Sequence, residues 1–110
     1  MYLNQKDVAR DELVLWLSHP GELGKKPAKI ECAGEFVLHN LKYYYFKYKK
    51  NSFGKWYLGV VGGFEEGSTE HCGHIFSEMQ EYKENSAQEE AVRMVEMIRE
   101  YWKKQAEKYE

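Results

Sequence analysis

Three strand-like runs follow one another between residues 29 and 62, and nothing between them is long enough to form a helix. The connections are His39-Asn40 and Asn51-Ser52-Phe53-Gly54. Parallel neighbours need a crossover of about a dozen residues or more, so these runs must pair antiparallel as a meander. In the first run Ile30, Cys32, Phe36 and Leu38 share one parity while Lys29, Glu31, Glu35 and His39 share the other, the pattern of a half-buried strand. Gly34 leaves room for a bulge there. The second run, residues 41–50, breaks the alternation. Tyr43, Tyr44, Tyr45 and Phe46 are apolar on both sides, as in a central strand. The third, residues 55–62, sets Trp56, Leu58 and Val60 against Tyr57 and Val61, and Gly62-Gly63 ends or bends it. His74 to Met79 is a candidate fourth strand.

A helix flanks the strands on either side. Asn4 is a capping residue with Asp7 three positions on, so the first helix is expected at residues 5–18, stopped by His19-Pro20-Gly21. Residues 19–28 read as a loop. Ser86 and Glu89 form a second capping box. Ala91, Val95, Ile98, Trp102 and Tyr109 make one apolar stripe, widened by Met94 and Tyr101, over an expected helix at 87–108. The fold expected is a single α+β domain over residues 1–110, in the order α-β-β-β-(β)-α. It is an antiparallel meander of three to four strands with both helices packed on one face.

Composition narrows the function classes. One core is all that 110 residues build. A net charge of -2 with 15% aromatic residues excludes collagen-like and strongly basic classes and argues against disorder throughout. The longest unbroken apolar run is Leu13 to Leu17, far below the roughly 20 residues of a bilayer span, so no membrane association is expected. Two cysteines, Cys32 and Cys72, suit a reducing cytoplasm.

Four features could carry chemistry. His71-Cys72-Gly73-His74 supplies three zinc-ligand side chains, and Cys32 could add the fourth; zinc is the alternative to a chain without cofactor. The same Cys and His do not suggest a nucleophile. Residues 65–90 hold eight acids and one base, a setting that raises a thiol pKa, so no catalytic residue is assigned. His19 at a helix end reads as a cation on the dipole. Between Glu35 and Glu65 the charged side chains are Lys42, Lys47, Lys49, Lys50 and Lys55, interleaved with Tyr43, Tyr45, Tyr48, Trp56 and Tyr57. Lysines beside aromatics can hold single-stranded nucleic acid, but the negative net charge and the absence of arginine from the stretch count against it.

The fourth feature is a surplus of aromatics. Eight of the 17 lie between Tyr43 and Tyr57. If two helices cover one sheet face, Tyr43, Tyr45, Tyr57 and Val61 point away from them. Such a row suits a homodimer or a protein partner. The competing expectation is that residues 19–28 or 64–79 fold across it. The sequence thus reads as a small binding or interaction module, with a small metal-binding protein or enzyme using the His71-Cys72-Gly73-His74 cluster as the alternative.

Overall fold

The computed structural model describes residues 4–18, 25–68, 71–76 (backbone only) and 80–108. Helix α1 spans Gln5–Ser18. Asn4 caps it as its side chain predicts: the Asn4 Oδ1 accepts the Asp7 backbone N–H at 2.9 Å. Four strands follow, β1 (Lys29–Leu38), β2 (Leu41–Lys49), β3 (Trp56–Phe64) and β4 (His71–Phe76), and then α2 (Ala87–Lys108). The strands form one antiparallel meander in chain order, so the α+β class and the sheet topology are as expected. The fourth strand begins three residues earlier than expected. Beyond it, residues 80–82 return to β3: the Leu58 N–H donates to the Gln80 carbonyl and the Tyr82 N–H to the Trp56 carbonyl, both at 2.8 Å.

The turns follow local chemistry. His39 and Asn40 both adopt positive φ, 53° and 65°, the conformation that lets a two-residue hairpin match the strand twist. At the second hairpin the Asn51 Oδ1 accepts the Phe53 N–H at 3.2 Å, and the Asn51 carbonyl accepts the Gly54 N–H at 3.1 Å.

The helices do not share a face. Ala9, Leu13 and Leu17 of α1 pack with Tyr44, Phe46, Tyr48, Val61 and Phe64. Ala87, Ala91 and Val95 of α2 pack with Phe36, Tyr43, Tyr45, Leu58 and Val60 on the opposite side. This corrects the one-face expectation, and the cause lies in β2. A strand apolar on both faces requires cover on both faces, and one helix supplies each. At about 1.5–3 kcal/mol for each large apolar side chain buried, neither layer is dispensable.

Two irregularities hid this arrangement. The register slips between Cys32 and Gly34 in β1, so Ile30 and Cys32 join the α1 layer while Phe36 and Leu38, of the same parity, join the α2 layer. A second slip, between Gly62 and Phe64, turns Phe64 to the α1 side, edge-on to Tyr44 with ring centroids 5.7 Å apart. Close approaches fix the layers. A Cβ on Gly34 would overlap the Tyr45 phenol, and one on Gly62 would overlap the Tyr43 ring. Gly59 lies under Leu13, whose Cδ2 would stand 2.9 Å from an added Cβ.

Gln5 clasps the start of α1 to the turn after β3. Its Nε2 donates to the carbonyl of Glu65, at 2.8 Å, and to that of Ser68, and its Oε1 accepts the Tyr44 hydroxyl at 3.0 Å.

Candidate partner-binding surface

Strand pairing brings a cationic and aromatic cluster to the hairpin end of the sheet. Glu31 of β1 is opposite Lys47 of β2; Lys29 is opposite Lys49, and Lys49 opposite Trp56 of β3. Directly paired residues share a face, and these share the α2 face. Helix α2, however, begins beside Tyr45 and runs the other way. The turn before it, through Glu84 and Asn85, and its first turns, through Gln88 and Val92, border Tyr45, and its far end lies beside His39. Among the described residues no helix covers the hairpin half of that face.

On the uncovered half, the Lys47 ammonium stands 4.8 Å from the centre of the Trp56 ring and 5.6 Å from that of Tyr82. The Lys49 ammonium stands 4.9 Å from the same indole. All three distances are within the roughly 6 Å range of cation–π attraction, which orders two otherwise mobile side chains. Among the described residues one carboxylate forms an ion pair with them: Glu31 pairs with Lys47 at 3.6 Å, its side chain 58% exposed. Tyr82 stays a neutral phenol, because burial and the neighbouring Glu84 carboxylate push its pKa up. Lys29 adds charge from its place opposite Lys49, and Lys50 and Lys55 add charge nearby along the chain. The result is a pre-ordered positive surface with an aromatic floor.

The residues expected to form an outer tyrosine face do not form one. Tyr43 and Val61 are fully buried and Tyr45 is buried, the two tyrosines under α2 and Val61 under α1. Tyr57 is half-buried on the α1 side against Tyr48, with ring centroids 5.9 Å apart. Strand pairing separates this set because Tyr45 is opposite Val60, whereas Tyr44 is opposite Val61.

Strand order also separates the cysteines. Cys32 is on β1 and Cys72 on β4, at opposite edges of the sheet. Three strand spacings amount to about 14 Å. That is beyond the roughly 7 Å Cα limit of a disulfide, and too far for Cys32 to join His71, Cys72 and His74 on one ion with bonds of about 2.3 Å or less. The side chains of His71, Cys72 and His74, and His19 entirely, lie outside the described residues. Burial raises the pKa of Cys32, keeping it a thiol at neutral pH.

Sequence reasoning grouped Trp56 with the helix-covered residues and did not single out Glu31 or Tyr82. One signal was available. On a single parity β2 reads Tyr43, Tyr45, Lys47, Lys49, apolar and then cationic, which marks a face covered along half its length. No family model matches the chain, and no match was found among curated proteins or among solved structures.

Proposed function

We propose that this domain is an interaction module that binds an acidic segment of a partner protein through Lys47, Lys49, Trp56 and Tyr82. The observation that carries the reading is the convergence of two ammonium groups on one half-buried indole, where, among the described residues, one ion pair, Glu31 with Lys47, engages them. Side chains already ordered lose less entropy when a carboxylate binds. Charge complementarity of this kind sets encounter rate and specificity. An acidic peptide is favoured over single-stranded nucleic acid for a geometric reason. The lysines lie over the ring on which a base would stack, and Tyr43 and Tyr48 of the same strand are fully buried.

The test is fluorescence anisotropy of a labelled oligoglutamate peptide and, in parallel, of labelled oligothymidylate. The peptide binds at low salt and weakens as salt screens the charges. Lys47→Glu with Lys49→Glu reduces its affinity at least tenfold, and Trp56→Ala reduces it severalfold. Failure of the peptide to bind at about 50 mM salt, where the Debye length is still above roughly 10 Å, sinks the reading. Preferential binding of oligothymidylate replaces it with nucleic-acid recognition.

A further inference from the structure

Helix α2 is longer than the surface it covers. At about 1.5 Å per residue its 22 residues extend about 33 Å. Its buried residues are Ala87, Ala91 and Val95, with Ile98 partly buried after them. Past that point the same apolar stripe continues, and among the described residues no strand lies beneath it. Tyr101 and Trp102 are 55% and 57% exposed and contact each other edge-to-face at 5.4 Å, and Met97 is 65% exposed. Trp102 also borders a groove of about 690 Å³ that is shared by His39, Glu96, Arg99, Glu100 and Lys103.

The charges beside this stripe change along it. Residues 96–100 carry Glu96, Arg99 and Glu100, whereas residues 103–108 carry Lys103, Lys104, Glu107 and Lys108. A second α2 lying antiparallel brings the acid-rich half of each helix against the base-rich half of the other; a parallel one sets like against like. We propose that the overhanging end of α2 docks antiparallel on the α2 of a second copy of this chain, burying Met97, Tyr101 and Trp102 at a twofold seam.

The area fixes how tight this contact is. Aromatic side chains bury roughly 150–250 Å² each, and about half of that remains available at Tyr101 and Trp102. With Met97, and the aliphatic stems of Arg99, Lys103 and Lys104, the two copies together bury on the order of 1,000 Å², the low end of specific interfaces. The dimer is therefore reversible and concentration-dependent. It uses a different surface from the Lys47–Trp56 cluster, and neither proposal needs the other.

Sedimentation velocity from about 5 to about 500 µM at low salt tests it. The expected result is a monomer–dimer equilibrium that Trp102→Ala weakens at least tenfold and Tyr101→Ser at least fivefold. Both positions are more than half exposed, so the unfolding midpoint of the dilute protein stays unchanged. Glu96→Lys with Glu100→Lys weakens association at least fivefold, and adding Lys103→Glu with Lys104→Glu to the same chain restores it. A monomer throughout the range, association indifferent to Trp102 and Tyr101, or charge reversal without restoration each overturns the proposal.

Discussion

The placement of α1 can be tested with a pair of substitutions at one contact. Leu13 is fully buried, and its Cδ2 and Cδ1 stand 2.9 Å and 3.2 Å from where a Cβ on Gly59 would be. Leu13→Ala removes three carbons and leaves part of their volume empty, costing about 3 kcal/mol. Gly59→Ala alone forces its methyl into the leucine. Overpacking of about 1–3 kcal/mol, less roughly 0.5–1 kcal/mol gained by restricting the unfolded glycine, leaves a net cost of about 1 kcal/mol. Independent effects would total about 4 kcal/mol. Together, the new methyl enters the space the leucine vacated; the overlap disappears and about one methylene of burial returns, so the pair costs about 2 kcal/mol. The coupling is therefore about 2 kcal/mol in the direction of rescue. Urea unfolding measures it. With a slope of about 1–3 kcal/mol/M, the double variant unfolds at a higher midpoint than Leu13→Ala alone, by about half a molar. Costs that add within about 0.5 kcal/mol refute the contact, and with it the assignment of α1 to the Tyr44 face.

Three further outcomes are expected. Among the described residues the buried Tyr43 hydroxyl has no hydrogen-bond partner, so Tyr43→Phe leaves stability unchanged or raises it by up to about 1 kcal/mol; a loss larger than that in urea unfolding reveals a partner. In a Cys72→Ser background, iodoacetamide alkylates Cys32 more slowly than free cysteine at neutral pH, because burial raises its thiol pKa, and fast neutral labelling contradicts this. Burial also raises the pKa of Tyr44 and of Tyr45, so the folded state favours their neutral phenols. That contribution is full below the ordinary tyrosine value of about 10 and is lost as pH rises through the elevated ones, so the thermal midpoint falls above about pH 10. A midpoint that stays level while these tyrosines ionise contradicts it.

How much was legible depends on whether the signal was local. Asn4 and Ser86 bracket helices that begin where their caps place them, because a cap is read from a few neighbouring residues. His39-Asn40 and Asn51 to Gly54 mark both hairpins for the same reason. Layer assignment is not local. Alternation groups residues by parity, and parity was interrupted once in β1, between Cys32 and Gly34, and again in β3, between Gly62 and Phe64. Gly34 suggested a bulge, yet a bulge's consequence, the exchange of every later side chain to the other face, follows only once its position in the ladder is known. Tyr43 and Tyr45 read as an open surface but are the floor of the α2 layer, because the two helices take opposite faces of the sheet. The cluster that does remain open was obscured by a different ambiguity: Lys47 and Lys49 read equally well as solvated strand ends, and only the starting point of α2 distinguishes the two.

The Gln5 clasp and the Leu13–Gly59 contact join the first helix to residues more than 45 positions later in the chain. The three hairpins, in contrast, close between neighbours. Their loops are short and cost little entropy to form, whereas seating α1 requires a much longer closure. On the ribosome α1 emerges before the strands and has no sheet to rest on until β3 has been synthesised and paired. The expected order is a sheet assembled hairpin by hairpin, with α1 settling last. Kinetics would express that order asymmetrically: shortening Leu13 speeds unfolding and leaves the refolding rate nearly unchanged, while shortening Val60 slows refolding.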